Sequence, residues 1–271
     1  MPREELVPDG LPVEELDDDI ALDEDDPFSQ YFRSVRTDTG LEIGLEVAWP
    51  SLDTNIRLST CLPSSELAPM FHGTQWAGTR VWRAAIVALQ YLLQQPESAF
   101  PSPNPRLVEL GCGLGVPGMV LALQRNFDVT LTDMGALVEQ LQRNLDQNEC
   151  FQSLPITAMA LDWSKEGVKE LCQDGKSYDI VLNCDCIYEP LYGTSWKQLI
   201  ECQEEFLRVR SDAYMLTSIE RRKADGADLY LEAMRASPYV SRIERIAYDQ
   251  CPPEIELYRA CGAGSQHVCK T

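Results

Sequence analysis

The sequence predicts an α/β fold built on a mainly parallel seven-stranded sheet with helices on both faces. From residue 106 onward, short apolar runs typical of buried strands alternate with segments of helical spacing. The first run, Leu107–Leu110, breaks into a glycine-rich turn that opens a helix, and the next strand ends at Asp133. A strand, a tight glycine turn, a helix and a strand ending in an acid form a nucleotide-type binding unit. The predicted fold is therefore Rossmann-like.

The elements follow in order along the chain. Leu41–Trp49 and Ile56–Cys61 are predicted as an N-terminal strand extension, with a hairpin across 50–54. The apolar spacing of 81–93 predicts a helix packed on the sheet, and the four prolines of 95–105 predict a loop. Further strands are predicted at 106–110, 127–132, 156–161, 178–184 and 212–219, helices at 116–125, 135–148, 193–209 and 225–236, and a C-terminal antiparallel hairpin at 240–248 and 254–260.

Charge separates an N-terminal segment from the rest of the chain. Residues 1–30 carry twelve acids and one base, which is more than half of the formal net charge of −20. Such a segment buries too little apolar surface to offset its ordering entropy, so we expect disorder and a role in solubility rather than docking of a basic partner. The predicted organisation is an acidic tail at 1–30, a strand and loop extension at 31–77, the main domain at 78–262 and a flexible C-terminus at 263–271.

Composition argues against several classes of function. An acidic chain is poorly suited to binding nucleic acid, whose phosphates attract Lys and Arg, but it is compatible with a basic protein substrate. No apolar run approaches membrane-spanning length. The ten cysteines include no C-x-x-C pair and there are only two histidines, so we expect no metal site. Without a secretory signal, we expect reduced thiols in a monomeric cytoplasmic protein, with the nucleus as the alternative.

The spacing of the glycine turn distinguishes two cofactors. A dinucleotide fingerprint needs its third glycine at position 116, where this chain has Val116. The glycines here are Gly111, Gly113 and Gly115, and Glu109 precedes them. An acid at that position suits a ligand with an ammonium group, and the acid ending the next strand can accept both hydroxyls of a ribose. The pattern predicts S-adenosylmethionine, the alternative being an α/β turn without a ligand.

Residues at the carboxyl ends of parallel strands meet in one crevice, so the other strand ends supply further candidates. Trp163, next to Asp162, offers a flat apolar face for adenine, although a tryptophan there can equally be a core residue. Asp185 and Tyr188 follow the buried strand that begins near residue 178. A carboxylate and a phenol in this place can hold an acceptor nitrogen with its lone pair facing the methyl carbon. The alternative for Asp185 is an N-cap.

These residues resemble those of a known family. The segment LVELGCGLG at 107–115, Thr132-Asp133, Asp162-Trp163, the D-x-x-Y element at 185–188 and the residues 81–85 are similar to the seven-β-strand protein (lysine) methyltransferases of methyltransferase family 16, the nicotinamide-N-methyltransferase-like group. The resemblance spans about residues 70–260. D-x-x-Y is its most specific part, because base and glutamine N-methyltransferases typically carry N/D-P-P-Y/F there. Cys184 stands where the family usually has a smaller residue, but it is small enough to keep the pocket.

The resemblance implies S-adenosylmethionine-dependent N-methylation of a lysine on a protein substrate, such as a translation factor or a chaperone. It places Asp185 and Tyr188 at the target side chain, with the polar segment 218–222 nearby. Two rivals are a small-molecule, nicotinamide-type N-methyltransferase, which would need a lid not obvious before Gly78, and a non-catalytic binding module. The expected cofactor-binding residues are Trp82, Glu109, Gly111, Cys112, Gly113, Gly115, Asp133, Met134, Asp162, Trp163 and Cys184.

Overall fold

Two sheets organise the chain. A computed structural model describes residues 25–36, 43–60, 77–100 and 102–263. The predicted disordered tail up to residue 24, the predicted strand ends at Leu41 and Cys61, and the predicted flexible C-terminus from residue 264 lie outside the described residues. The smaller sheet is antiparallel, in the order β1-β2-β3, and consists of β1 (Phe32–Arg36), β2 (Ile43–Val47) and β3 (Ile56–Ser59).

The larger sheet confirms the predicted α/β class. Its strand order is β6-β5-β4-β7-β8-β10-β9, with five parallel strands and β10 inserted antiparallel between β8 and β9. The C-terminal hairpin is as predicted, but the position of its second strand against β8 follows only from the structure. The strands are β4 (Arg106–Leu110), β5 (Asp128–Asp133), β6 (Ile156–Ala160), β7 (Ile180–Cys184), β8 (Tyr214–Glu220), β9 (Val240–Arg245) and β10 (Ile255–Gly262).

Helices cover both faces of the larger sheet, and strand residues alternate between two cores. In the strand at 106–110, for example, Leu107 belongs to one core cluster and Val108 to the other, and both side chains are fully buried. None of the helices in the described part of the chain is long and apolar enough to cross a membrane. The helices are α1 (Arg83–Gln94), α2 (Val116–Arg125), α3 (Gly135–Asp146), α4 (Lys165–Leu171), α5 (Glu189–Tyr192), α6 (Trp196–Val209) and α7 (Ala227–Ala236).

Three elements are absent from the sequence prediction, namely β1, α4 and α5. The α4 helix has only seven residues and contains Gly167, so its apolar periodicity is weak; the Ser164 side chain caps it by accepting the Gly167 N–H at 3.1 Å. The α5 helix is a single turn that begins with Glu189-Pro190, and it lies just before the predicted helix at 193–209, which in the structure begins at Trp196. Recognising a helical pattern needs a window of about 11 residues, or three turns, which neither element supplies.

The smaller sheet is attached to the main domain through side chains of α3 and of the residues just after it. Asn144 accepts the Ser59 N–H at 2.8 Å, and Asn148 accepts the Arg57 N–H at 2.9 Å and donates to the Arg57 carbonyl at 2.7 Å. Because β3 pairs with β2 on its other side, these amides satisfy backbone groups that an edge strand would leave open. The contact holds β3 against the domain.

Candidate cofactor and acceptor site

A cavity of about 710 Å³ opens at the carboxyl ends of β4, β5, β6 and β7. Every residue expected to bind the cofactor lines it, and so does Asp185. Among the described residues that line this cavity, Tyr188 is not found, whereas Tyr192, one turn further along, is. The structure therefore brings the predicted cofactor residues together at one place and sets Tyr188 apart from them.

The glycine turn allows no side chain at two of its positions. Gly111 has a φ of +59°, and a Cβ there would lie 2.9 Å from the Cys186 Sγ and 3.0 Å from the Trp163 ring. Gly113 has a φ of +53°, and its Cβ would lie 2.9 Å from the backbone oxygen of Gly78. Positive φ and close packing together require glycine. The turn is thus fixed between the Trp163 indole and the loop that precedes α1.

Glu109 is a buried carboxyl group on the cavity wall. Its side chain accepts the N–H of Gly118, in the first turn of α2, at 2.9 Å, and so caps that helix from the neighbouring strand. Burial raises the pKa of Glu109 to about 8, the hydrogen bond from Gly118 opposes this shift, and the charge of Asp133 adds to it. The Glu109 carboxyl group is therefore mainly protonated at neutral pH. A positively charged ligand group beside it would lower its pKa and favour the ionised form.

Asp133 links the glycine turn to the end of β5. One carboxylate oxygen accepts the Gly113 N–H at 2.8 Å and the other accepts the Met134 N–H at 2.7 Å. Burial raises the pKa of Asp133, while these two hydrogen bonds lower it. A carboxylate has about four acceptor positions, so the described contacts leave room for two hydroxyl donors. This is the donor and acceptor pattern that a ribose diol needs.

Asp185 lies where β7 ends, in a left-handed conformation with a φ of +57°. Its side chain is 2% exposed and makes two hydrogen bonds with Arg222, Nη1 to Oδ1 at 3.1 Å and Nη2 to Oδ2 at 2.8 Å. The Glu220 N–H donates to Oδ1 at 3.1 Å. The carboxylate is therefore oriented by β8 and the residues after it.

Arg222 explains the position of Tyr188. The guanidinium carbon lies 5.2 Å from the centre of the Tyr188 ring and 5.4 Å from that of the Trp82 ring, within range for cation–π contact with both. Nη2 also contacts a Glu220 oxygen at 2.7 Å. Burial lowers the pKa of Arg222, but the hydrogen bond and charge of Asp185, with the charge of Glu220, raise it above the ordinary value. Tyr188 thus contacts Arg222, the partner of Asp185, and does not line the cavity.

Sequence reasoning missed a group of residues that complete the cavity. The wall between α5 and α6 is built by residues for which the sequence carries no motif, since the short α5 turn was not recognised. Arg222 was named only as part of the polar segment 218–222, and the D-x-x-Y pattern gave no sign of its pairing with Asp185. The cavity-lining residues of this wall are Tyr192, Thr194, Ser195 and Gln198, and Arg80 lines the cavity from the residues before α1.

The residues present fit S-adenosylmethionine. The glycine turn presents backbone without side chains to the cavity, Glu109 can face a ligand ammonium group, and Asp133 can accept ribose hydroxyls. Trp163 and the exposed Met134 supply apolar surface at the same edge for an adenine ring. Within the described ranges, no group of three or more His, Cys, Asp or Glu side chains is placed to hold a metal ion.

Comparisons with known proteins agree with this site. A family model described as lysine methyltransferase matches residues 63–236. The chain is 38% identical over 154 residues to Secreted RxLR effector protein 48 of Plasmopara viticola, covering 53% of this chain and 78% of that protein. It is 30% identical over 147 residues to EEF1A lysine methyltransferase 3 of Mus musculus, covering 52% and 58%. It is 32% identical over 91 residues to Protein-lysine N-methyltransferase rrg1 of Schizosaccharomyces pombe, covering 32% and 30%.

The chain therefore spans 58% or less of the length of the two methyltransferase relatives. Among solved structures, an O-methyltransferase family protein from Burkholderia thailandensis superposes with a TM-score of 0.50 at 10% identity, over 75% of this chain and 64% of that one. That likeness shows a shared fold. Because the family model covers well over half of its residues, the chain belongs to the lysine methyltransferase family, whose members take the methyl group from S-adenosylmethionine.

Proposed function

We propose that the protein transfers a methyl group from S-adenosylmethionine to a lysine side chain of a protein substrate. The observation that carries this proposal is the buried carboxylate of Asp185 on the same cavity wall as the glycine turn. A carboxylate there can accept an N–H from an amine and turn the nitrogen lone pair toward the cofactor end of the cavity. Family membership supports lysine as the acceptor.

Each wall of the cavity has its own role in this proposal. Trp163 and Met134 would hold the adenine, Asp133 the ribose and Glu109 the ammonium group of the cofactor, with the turn at Gly111 close beneath it. When bound, the cofactor supplies a methyl group activated by a sulfonium charge. Asp185 orients the acceptor amine and does not act as a strong base, since most of the acceleration comes from positioning and exclusion of water.

The acceptor must lose a proton before it can react. Neutralising a lysine ammonium at pH 7 costs about 4–5 kcal/mol from its reference pKa of ~10.4. Burial of the amine and the nearby sulfonium charge both reduce this cost. The site therefore needs to hold the amine without stabilising its protonated form.

The proposal includes the partner and the place of action. The name of the mouse relative, EEF1A lysine methyltransferase 3, makes the translation factor EEF1A the first acceptor to test, with a chaperone as the next class. We propose a monomer that acts in the cytoplasm, with the nucleus as the alternative compartment. The main domain would extend over residues 78–262.

Labelled S-adenosylmethionine tests the proposal directly. The protein is incubated with it in a cytosolic extract and, separately, with EEF1A, and the labelled product is hydrolysed and analysed for N-methyllysine. Label in one or a few protein bands as N-methyllysine supports the proposal. Label only in small molecules would instead identify a metabolite N-methyltransferase, and no label at all would leave a non-catalytic binding module as the function.

The Asp185→Asn variant separates the two ends of the cavity. Asparagine tolerates the left-handed backbone at this position, so the substitution removes the charge with little strain. We expect methyl transfer to fall at least about 100-fold, because the amine is no longer positioned, while the Kd for S-adenosylmethionine changes little by calorimetry. Asp133→Asn serves as the contrasting variant and should mainly weaken cofactor binding. A loss of cofactor affinity in Asp185→Asn would show that Asp185 is a cofactor ligand.

A further inference from the structure

We propose that Arg222 is the positioning residue of the acceptor side, and that its pairing with Asp185 lets this carboxylate hold the lysine amine without stabilising the ammonium form. The inference rests on the proposed function, because it concerns how the acceptor is made reactive. It adds a residue outside the D-x-x-Y element and outside the cavity lining, in the loop after β8.

The geometry leaves Asp185 one acceptor position for the substrate. Arg222 occupies one position on each carboxylate oxygen, and the Glu220 N–H occupies a second position on Oδ1. Of about four acceptor positions on a carboxylate, the described contacts leave one, on Oδ2. A single remaining position favours one N–H of the incoming amine in one direction, which leaves the lone pair of that amine free to point elsewhere.

Two aromatic rings keep the guanidinium in place. Tyr188 and Trp82 each lie within 5.5 Å of the guanidinium carbon, and Glu220 contacts it from β8. The side chain of Arg222 is 25% exposed, so the pair is shielded but not fully enclosed. Trp82 also lines the cavity, so Arg222 contacts two cavity-lining side chains, Trp82 and Asp185. These contacts hold the Arg222 side chain in place, although Arg222 does not itself line the cavity.

Pairing with Arg222 resolves a conflict in the reaction. A free carboxylate beside a lysine raises the pKa of that lysine by about 1–3 units when the charges are within about 4–6 Å, and so favours the unreactive ammonium form. A carboxylate neutralised by a guanidinium still accepts a hydrogen bond but presents little net charge. Asp185 can then orient the amine, and the positive charge behind it disfavours a second cation in the cavity.

Other ionisable groups near Asp185 do not duplicate this role. Burial raises the pKa of Tyr192 and of the Cys184 and Cys186 thiols, so these three groups are neutral near pH 7. The Glu220 carboxylate has a second partner, because it also pairs with Arg83 at 3.2 Å. Substituting Arg222 leaves all of them in place. The ionisable groups that interact with Asp185 besides Arg222 are Cys184, Cys186, Tyr192 and, through its N–H, Glu220; Glu109 and Asp133 act on the same thiols, and Tyr188 contacts Arg222.

The pH dependence of methyl transfer tests the proposal. The methyl acceptor is the protein of the cytosolic extract that the wild-type enzyme labels most strongly. Initial rates of its methylation are measured for wild type, Arg222→Gln and Arg221→Gln. The range is about pH 6.5 to 10.5, which reaches the reference pKa of a lysine amine of ~10.4. Arg221 is the matched control, because it pairs with Asp225, Asp228 and Glu256 and not with Asp185. Cofactor Kd and urea unfolding are measured for each variant.

We expect the rising limb of the Arg222→Gln profile to move up by about one pH unit or more. The methylation rate of Arg222→Gln would be about 10-fold below that of wild type at pH 7.5 and would approach it near pH 10. The KM for the protein acceptor would not increase. Arg221→Gln should keep the wild-type profile. A rate that falls by the same factor at every pH would overturn the proposal, because it would indicate a purely structural role. No label with wild type would overturn the proposed function, and this inference with it.

A second variant covers the case in which Arg222→Gln does not fold. Arg222→Lys keeps the positive charge but loses the two-pronged contact with Asp185. We expect the rising limb of its pH–rate profile to stay at the pH of the wild-type limb, because the positive charge is kept. Its maximal rate should fall, because the Asp185 carboxylate is oriented less strictly. A profile of Arg222→Lys shifted to higher pH would contradict the proposal, because charge would then not be what Arg222 contributes.

Discussion

Glu109 makes cofactor binding sensitive to protons. Its pKa of about 8 means that the carboxyl group is mainly protonated at pH 7, and a ligand ammonium group beside it would favour ionisation. We expect binding of S-adenosylmethionine at pH 7 to release up to about one proton, which calorimetry in buffers of different ionisation enthalpy measures. Glu109→Gln should release none and bind more weakly. Equal proton release by wild type and Glu109→Gln would exclude Glu109 as the source.

The same residue affects the pH dependence of stability. Below about pH 4.5 the carboxyl group is protonated in both folded and unfolded chains, and between about 4.5 and 8 only the unfolded chain ionises. The contribution of Glu109 to the free energy of unfolding is thus full at low pH and lost as the pH rises through 8. Urea unfolding of the cofactor-free protein should show Glu109→Gln gaining stability relative to wild type from pH 5 to 8; a constant difference would contradict the buried, protonated carboxyl.

For single residues, the sequence predicts where a side chain lies in the fold better than which other side chains it contacts. Asp185 and Tyr188 follow a buried strand, so their place near the crevice follows from the strand pattern. That Arg222 contacts both Asp185 oxygens and the Tyr188 ring depends on a loop 37 residues further along. Periodicity carries no information about which long side chain reaches which carboxylate. The sequence missed Tyr192 because the single turn of α5 that carries it is too short to show a helical pattern.

Among the elements, α3 supports the smaller sheet, and Asn144 is its main contact. Asn144 is fully buried and bonds both the N–H and the carbonyl of Ser59 on β3. We expect Asn144→Ala to lower the free energy of unfolding by about 1–3 kcal/mol, because the part-buried Ser59 N–H loses its partner, although Gln140 still donates to the Ser59 carbonyl. Hydrogen exchange should show the Ser59 amide losing protection before the strands of the larger sheet do.

A matched control lies on the outer face of the same helix. Gln142 is exposed and contacts only Asp146 among the described side chains, so Gln142→Ala should change stability by less than about 0.5 kcal/mol. Equal effects of the two substitutions would show that helix propensity, and not the contact with β3, determines the result. The sequence predicted β2, β3 and their hairpin from alternation, but polar residues of a helix gave no sign that they cover a strand edge.

For the whole molecule, the alternation of apolar runs and helical segments was enough to predict the class of fold and the crevice. Parallel strands must place their carboxyl ends together, so the sites on β4, β5, β6 and β7 converge whatever the loops do. The insertion of β10 between β8 and β9 and the anchoring of the N-terminal residues depend on long-range packing. Asp26 forms an ion pair with Arg83, with its carboxylate 2.7 Å from the Arg83 Nε, although the sequence assigned it to the acidic tail.

This anchoring gives a test of where the domain begins. Phe28 is buried in the core, and Asp26 pairs with Arg83 at the first residue of α1, next to the cavity-lining Trp82. Deleting residues 2–24 should leave urea unfolding within about 0.5 kcal/mol of wild type. Deleting residues 2–28 should cost about 1.5–3 kcal/mol from loss of the buried Phe28 and should weaken cofactor binding through Trp82. If both deletions behave alike, the stability of the folded chain does not depend on residues 25–28, and the folded part begins near residue 31, where the predicted acidic tail ends.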